Sequence, residues 1–150
     1  MQNTKIEPVN EVLQSKPISA YAYTGQNKNL LGLSGFCNPL KIEKSWGHEL
    51  IYQNSELYCC KVLYIKPYSS CSFHFHLEKH ETLLVQEGTL FIDVIKDKQE
   101  DSLVVQEGEA FVVAPGFIHS LRAEDEPVVI IESSTPSYDT DSIRIKNGIN

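Results

Sequence analysis

Beyond residue 48 the chain alternates short apolar runs with short polar turns. Within most runs, apolar and polar positions alternate with a period of two, which is typical of β-strands with one buried face. Turn-forming residues separate the runs, as at Glu87-Gly88 and Pro115-Gly116. The predicted strands are residues 49–53, 57–66, 72–76, 81–86, 89–96, 102–106, 109–114, 119–123 and 128–133. Strands of this length and spacing predict an all-β sandwich or barrel that is wide enough for a ligand cavity at one mouth.

The first 43 residues differ from the rest, because polar residues dominate and prolines and glycines interrupt any pattern. We therefore divide the chain into an irregular N-terminal arm, residues 1–43, and a β-barrel domain, residues 44–150. Within the arm, residues 8–13 are predicted to form one or two helical turns and residues 18–23 a strand. The arm is expected to pack on the barrel or on a second subunit.

The composition fits one domain that acts on a small molecule. A net charge of −7 disfavours nucleic acid and anionic membranes as partners, because both select basic surfaces. The chain has no apolar run long enough to span a membrane, and its first residues lack a signal-peptide core. The four cysteines do not have zinc-motif spacing, and we interpret them as reduced thiols. These features together predict a cytoplasmic protein.

Three histidines and one glutamate form the candidate chemistry. His74 and His76 are two residues apart in a predicted strand, so their imidazoles face the same side. Glu81 opens the next apolar run, and His119 follows a tight turn. Imidazole and carboxylate groups in this combination suit one divalent metal ion, with Zn, Mn, Fe and Ni as candidates and Cu also compatible. Open coordination positions would make such a site catalytic rather than structural.

The same residues carry a family resemblance. The stretch from His74 to Gly88 reads H-x-H, four residues, Glu, six residues, Gly, and the stretch from Gly108 to His119 reads Gly, six residues, Pro-Gly-x-x-His. Together they resemble the two signature motifs of the cupin superfamily, which implies a jelly-roll β-barrel. The resemblance also implies that His74, His76, Glu81 and His119 bind one metal inside the barrel. The chain departs from the motifs at Tyr68 and Ala123, where the family usually has Gly and often has Asn.

A narrower resemblance points to a sugar as substrate. Residues 44–49, with their Trp-Gly pair, and residues 131–133 and 137–144 are similar to segments of type II mannose-6-phosphate isomerases and their sugar-binding relatives. This implies a metal-dependent aldose–ketose isomerase acting on a carbohydrate or sugar phosphate. That group often carries Gln at the position of His74. Two alternatives remain, a metal-dependent dioxygenase and a non-catalytic sugar-binding cupin.

Five residues are candidates for roles beside the metal. An isomerase needs a base that moves the proton next to the sugar carbonyl, and Glu81, His80 and Glu132 are the candidates. Arg122 and Lys61 are candidates for binding a phosphate or a sugar hydroxyl. Four of the five have a simpler alternative. His80 then lies on a solvated loop, Glu132 ends a strand in solvent, and Arg122 and Lys61 are exposed strand charges.

A homodimer is predicted, with the arm contributing to the interface. A small β-domain leaves sheet edges that need cover, and the arm carries apolar residues that need burial. These residues are Leu30, Leu31, Leu33 and Phe36. Sedimentation at micromolar concentration is expected to give the mass of a dimer. A monomer with those side chains packed on its own barrel would refute this prediction.

Overall fold

A computed structural model describes residues 28–31, 34–96 and 99–146, and within these ranges nearly all regular structure is strand. One short 3-10 turn, Asp139–Asp141, precedes the last strand. The strands are β1 (Lys28–Leu31), β2 (Ser34–Phe36), β3 (Leu40–Lys44), β4 (Gly47–Asn54), β5 (Cys59–Ile65), β6 (Phe73–His76), β7 (Glu81–Glu87), β8 (Leu90–Lys96), β9 (Gln99–Val105), β10 (Ala110–Val113), β11 (His119–Arg122), β12 (Val128–Ser134) and β13 (Ser142–Lys146).

Two large antiparallel sheets form the body of the molecule. One has six strands in the order β10-β7-β12-β5-β4-β3, and the other has five in the order β13-β6-β11-β8-β9. Strands β1 and β2 form a separate two-stranded sheet. Neighbours such as β7 and β12 are distant in sequence, as in jelly rolls, where strands return by long connections. The expected all-β, cupin-type jelly roll is therefore confirmed.

The inward faces of the six-stranded sheet change character along the strands. At one end they carry aliphatic side chains such as Ile65, Val85 and Val128, each at most 1% exposed. Further along the same faces, at positions of the same parity, they carry charged residues. Lys61 on β5 lies opposite Glu132 on β12 in the register, and Glu81 opens β7 beside Ser134. An aliphatic core therefore closes one end of the barrel and a polar cavity occupies the other.

The nine predicted strands correspond to β4 through β12, with ends that differ by a few residues. The strands that the hydrophobic pattern did not predict include two edge strands, β3 and β13. Each pairs along one side only, and their side chains are mostly exposed, so burial left little pattern in the sequence. Strand β13 pairs with β6, and Ser142 lies opposite His76.

Strand β3 crosses the predicted boundary between arm and barrel, because residues 40–43 pair with β4. The division at residue 43 and the packing of the arm otherwise stay predictions. The helical turns predicted at residues 8–13 and the strand at 18–23 lie outside the described residues. The dimer prediction depends on the side chains of Leu30, Leu31, Leu33 and Phe36, which also lie outside the described part of the chain. That prediction stays untested.

The four cysteines are free thiols. Burial raises the pKa of Cys59 and of Cys71 to about 11, so both are protonated at neutral pH. Within the described ranges, the chain has no helix that is long and apolar enough to span a membrane.

The close approach of strand β5 explains why the residue after Trp46, at the start of β4, is a glycine. A Cβ atom at this position would overlap the carbonyl oxygen of Tyr64 and lie 2.9 Å from its carbonyl carbon. These are backbone atoms of the neighbouring strand β5, which cannot rotate away. Trp46 also accepts a hydrogen bond from Lys66 N–H at 2.9 Å, so the close approach is fixed on both sides.

We expect Gly47→Ala to lower the free energy of unfolding by roughly 3 kcal/mol or more, because the added methyl group forces two paired strands apart. Gly108→Ala is the matched control. It has a φ of +82°, but its Cβ would meet no atom within 4 Å. It should therefore cost only the left-handed backbone penalty of about 1–2 kcal/mol. Urea unfolding followed by the fluorescence of Trp46 measures both. Equal losses in the two variants would contradict the steric explanation.

Candidate metal and catalytic site

The polar end of the barrel holds a cavity of about 470 Å³. Both large sheets contribute to its wall, and Trp46, Tyr138 and Arg144 are among the lining residues. Its volume lies in the range of small-molecule sites. His74, His76, Glu81, His119, Lys61 and Glu132 also line it.

The three histidines and Glu81 converge at the base of this cavity. Strands β6 and β11 are paired so that His74 lies directly opposite His119. The ring centroids of His74 and His119 are 4.4 Å apart, and those of His74 and His76 are 5.1 Å apart. Glu81 Oε1 lies 3.2 Å from His119 Nε2 and 4.0 Å from His76 Nε2. The structure thus brings together the four residues that the motifs indicate.

Backbone carbonyls fix the tautomer of two of the imidazoles. His74 Nδ1–H donates to Ser72 O at 2.7 Å, and His119 Nδ1–H donates to Phe117 O at 2.9 Å. A carbonyl oxygen only accepts, so the proton is on Nδ1 and the Nε2 lone pair is left for another partner. His119 Nε2 faces the Glu81 carboxylate. A lone pair and a carboxylate repel each other, so a proton or a metal ion is needed between them.

The surroundings of His76 are a second indication of an electron-pair acceptor, such as a metal ion or a proton, at this site. Both of its ring nitrogens are buried and make no hydrogen bond. A buried polar group without a partner costs about 1–3 kcal/mol, and such groups often mark an ion or a ligand. Two unsatisfied nitrogens beside two other imidazoles therefore fit a divalent cation, which takes nitrogen and carboxylate donors.

The electrostatics keep His74, His76 and Glu81 in their metal-binding forms. Burial, helped by the neighbouring His119, lowers the pKa of His74 to about 3. Burial, helped by Lys79, lowers the pKa of His76 to about 4. Burial alone raises the pKa of Glu81, but the hydrogen bond with His119 and the ammonium group of Lys79 outweigh it, so this pKa lies well below its ordinary value. Neutral imidazoles and an ionised carboxylate are the species that bind metals.

Lys79 is a buried residue of this site that the sequence patterns do not identify. It is 4% exposed, and its Nζ contacts Glu81 Oε2 and lies 2.9 Å from Glu132 Oε1. Lys79 lies in the loop before β7, outside the alternating strands, so strand parity gives no signal for it. Because Lys79 holds one oxygen of Glu81, a metal would have to bind through the other. Among the described residues, no set of three or more His, Cys, Asp or Glu side chains has ready metal-binding geometry.

Charges of alternating sign continue from Lys79 across the cavity wall. Lys61 Nζ lies 3.8 Å from Glu132 Oε1 and 3.6 Å from Glu49 Oε2. Lys44 Nζ lies 3.3 Å from Glu49 Oε1. Glu132 is 3% exposed, so the solvent-exposed alternative for this carboxylate is wrong. Lys61 is also buried and faces the cavity, where its Nζ donates to Ser137 Oγ at 3.3 Å.

Arg122 does not line the cavity, which corrects its candidacy as a substrate ligand. Its neighbour Leu121 faces inward, so the parity of strand β11 turns Arg122 to the outer face of the sheet. There its guanidinium binds Asp93, with Nε to Oδ2 at 2.8 Å and Nη2 to Oδ1 at 3.2 Å. It also pairs with Glu124 and lies 4.7 Å from the ring centroid of Phe91. These contacts give it a structural role.

His80 also lies away from the cavity, which corrects its candidacy as a base. It is exposed on the loop between β6 and β7. Its backbone N–H donates to Thr135 Oγ1 at 3.0 Å, and its carbonyl accepts from Thr135 N–H at 3.0 Å. The backbone of His80 therefore anchors the loop, while its imidazole faces solvent.

Comparison with known proteins agrees with this architecture. The sequence model of the Cupin family matches residues 48–146. The chain belongs to the cupin family. This match contains both histidine motifs and all four candidate metal ligands, and it ends within the last described strand, β13.

Two curated relatives bear names of sugar isomerases. A D-lyxose ketol-isomerase from Thermofilum sp. is 27% identical in an alignment that covers 81% of this chain and 80% of the relative. A D-lyxose/D-mannose isomerase from Thermosediminibacter oceani is 22% identical in an alignment that covers 95% of this chain and 92% of the relative.

Solved structures share the fold of this cupin. Oxalate decarboxylase from Bacillus subtilis superimposes with a TM-score of 0.64 at 14% identity and covers 72% of this chain. The capsular polysaccharide assembling protein CapF from Staphylococcus aureus superimposes with a TM-score of 0.63 at 19% identity and covers 73%. The chain spans only 30% and 33% of those longer proteins, respectively. At this identity the likeness establishes the jelly roll alone.

We expect Lys79→Met to lower the free energy of unfolding of the metal-free protein by about 3–5 kcal/mol, because it removes the cation between two buried carboxylates. The double variant Lys79→Met, Glu132→Gln should recover part of that loss, since it also removes one unpaired charge. Arg122→Met is the control. It breaks a pair whose arginine side chain is 24% exposed, and it should cost about 1 kcal/mol or less. Chemical denaturation measures all three, and similar losses for Lys79→Met and Arg122→Met would contradict the prediction.

Proposed function

We propose that this cupin is a metal-dependent aldose–ketose isomerase that acts on a free aldose of the lyxose or mannose type. The observation that carries the proposal is the position of Glu132, a buried carboxylate in the same cavity as the three imidazoles and Glu81. A base next to a metal-sized set of donors is the equipment for moving a proton beside a carbonyl group. Two relatives that align with this chain over most of their lengths are named as sugar isomerases, which supports the same reaction.

In this proposal His74, His76, Glu81 and His119 hold one divalent ion, with Zn, Mn, Fe and Ni as candidates. The fit rests on the unsatisfied nitrogens of His76 and on the Nε2 lone pairs that two backbone carbonyls leave available. When bound, such an ion would polarise the carbonyl oxygen and the adjacent hydroxyl oxygen of an open-chain sugar. This makes the hydrogen on C2, the carbon that carries that hydroxyl group, more acidic.

Glu132 is the base in this proposal. Lys79 Nζ, Ser134 Oγ and Lys61 Nζ all approach its Oε1, at 2.9, 3.4 and 3.8 Å. These contacts leave Oε2 as the oxygen for the substrate. Oε2 removes the proton from C2 of the aldose and returns a proton to C1, while the hydroxyl proton of O2 is lost and O1 gains a proton, so that the aldose becomes the ketose with no net gain or loss of protons. Glu81 is less suited to this role, because Lys79 and His119 occupy its two oxygens.

Lys61 binds and orients the sugar in this proposal. Its Nζ lies within 3.8 Å of Glu132 and within 3.6 Å of Glu49, so a donor with three protons faces the cavity between two carboxylates. An ammonium group in this position donates to a sugar hydroxyl and stabilises negative charge on the sugar oxygens as the proton moves.

The charges of the cavity favour a neutral sugar over a sugar phosphate. Its lining contains four cationic side chains and four carboxylates. The two buried cations, Lys61 and Lys79, each contact two carboxylates, so a phosphate dianion would compete for cations that are already paired. D-Lyxose and D-mannose have the same configuration from C2 to C4, so one site can present the same reacting hydroxyl groups of both.

The test is turnover by protein that has been stripped of metal and reloaded separately with Mn, Zn, Fe and Ni. D-Lyxose and D-mannose should be converted to the corresponding ketoses, and mannose 6-phosphate should be a poorer substrate. Glu132→Gln should lower kcat by about 10²–10⁴-fold, because general-base catalysis typically contributes that factor. Its metal content should remain, since Glu132 is not a proposed ligand. Arg122→Gln on the outer face should retain wild-type activity.

Two other results would replace the proposal. Sugar binding without conversion by any metal form would establish a binding module. Oxygen consumption by an iron-loaded or copper-loaded form would establish an oxygenase. In heavy water the ketose should carry deuterium at C1 if the base exchanges its proton with solvent, but a shielded transfer hides this label, so turnover decides.

A further inference from the structure

A buried carboxylate outside the proposed ligand set binds the loop that separates two of the ligands. Asp141, on the 3-10 turn before β13, is 8% exposed. Its Oδ1 accepts hydrogen bonds from Leu77 N–H at 2.9 Å and Glu78 N–H at 3.0 Å, and its Oδ2 accepts from Lys79 N–H at 2.9 Å. Three consecutive amides therefore converge on one side chain that is more than 60 residues away in sequence.

Strand pairing brings this carboxylate to His76. Ser142, the residue after Asp141, lies opposite His76 in the register of β13 and β6. Asp141 Oδ2 lies 3.7 Å from His76 Nδ1. The backbone of His76 is held from the other direction, because its carbonyl accepts a hydrogen bond from Gly116 N–H at 2.7 Å. The ring of His76 is thus enclosed between fixed backbone and this carboxylate.

His76 differs from the other two imidazoles in what faces its Nδ1. His74 and His119 donate from Nδ1 to the backbone carbonyl two residues earlier. His76 has no hydrogen bond at either nitrogen, and both nitrogens are buried. The acidic groups near them are Asp141 on the Nδ1 side and Glu81 on the Nε2 side. A small tilt of the ring brings Nδ1 within hydrogen-bond distance of Asp141 Oδ2.

We propose that Asp141 is a positioning residue that takes the Nδ1 proton of His76 and thereby directs the lone pair of Nε2 toward His119 and Glu81. The same carboxylate fixes residues 77–79, and so places Lys79 between Glu81 and Glu132. The consequence for metal affinity rests on the proposed function, whereas the tautomer of His76 does not. Carboxylates that orient metal-binding imidazoles are typically worth 10–100-fold in affinity or activity.

An amide in place of this carboxylate separates its two tasks. In Asp141→Asn, the remaining oxygen can still accept from Leu77 and Glu78. The new NH₂ group then faces Lys79 N–H and His76 Nδ1, where an acceptor is required. The variant therefore keeps two of the three loop hydrogen bonds and loses the acceptor for the imidazole. Glu78→Gln is the matched control, because it removes one negative charge from an exposed side chain of the same loop.

The experiment measures long-range ¹H–¹⁵N correlations of the histidine rings in metal-free protein at pH 7.5, and Zn²⁺ affinity by competition with a chelator. In the wild type, His76 should be the Nδ1–H tautomer. In Asp141→Asn, it should shift to the Nε2–H tautomer or to a mixture, and Zn²⁺ should bind about 10–100-fold more weakly. Glu78→Gln should match the wild type in both measurements. Circular dichroism establishes whether each variant is folded.

A wild-type tautomer and wild-type Zn²⁺ affinity in folded Asp141→Asn would overturn the inference and leave Asp141 as a loop anchor only. If Asp141→Asn does not fold, the wild-type spectrum alone decides, because an Nε2–H tautomer of His76 would overturn the inference. A wild-type protein that binds no Zn²⁺, Mn²⁺, Fe²⁺ or Ni²⁺ but changes tautomer on Asp141→Asn would uphold the inference. That same result would refute the metal-dependent function.

Discussion

The cavity depends on one buried ammonium group that compensates two buried carboxylates. Glu81 and Glu132 are each 3% exposed, and Lys79 contacts both. Removing an ion from water costs several kcal/mol, and only close partners of opposite charge repay that cost inside a protein. Lys61, Glu49 and Lys44 extend the same alternation of charges toward the rim. Compensation of this kind allows a small β-barrel to keep a polar interior at one end and an aliphatic core at the other.

The strand register makes the core and the site a single arrangement. Along β5 and β12, buried positions two residues apart run from Ile65 and Val128 to Lys61 and Glu132 without a change of face. A shift of the register by one residue would turn the aliphatic residues and the charged residues outward together. The aliphatic end therefore supplies the burial energy that holds the charged end in place. The same alternation of inward and outward positions therefore determines both the packing of the core and the placement of the charged residues.

Much of the fold and part of the site could be predicted from the sequence, because both depend on local rules. Strand parity and the two motifs placed His74, His76, Glu81 and His119 together, and alternation located β4 through β12. The edge strands β3 and β13 were missed, because exposed positions leave a weak pattern. The parity rule that locates inward residues also places Arg122 outside, but the candidacy of that residue had been based on its charge alone.

The rest of the site depends on contacts that no local rule supplies. Lys79 meets Glu132 across 53 residues, and Asp141 meets the amides of residues 77–79 across 62 to 64. Both contacts depend on the conformation of the loop between β6 and β7, which the hydrophobic pattern does not determine. His80, next to Lys79 and Glu81, lies in solvent for the same reason. In a loop, neighbouring residues have no fixed relation to the two faces of a sheet.

The pairing of β13 with β6 has a consequence for how the protein is made. The residues that line the cavity extend from Ile42 to Arg144. The last of them lie on β13 and are therefore synthesised after strands β3 to β12. A nascent chain that has emerged only as far as β12 already contains the aliphatic core and the histidines, but not Asp141 or Arg144. Until the final strand pairs, β6 is the open edge of the five-stranded sheet, and His74 and His76 lie on that edge strand. The wall of the cavity is therefore complete only after β13 has been synthesised and has paired with β6.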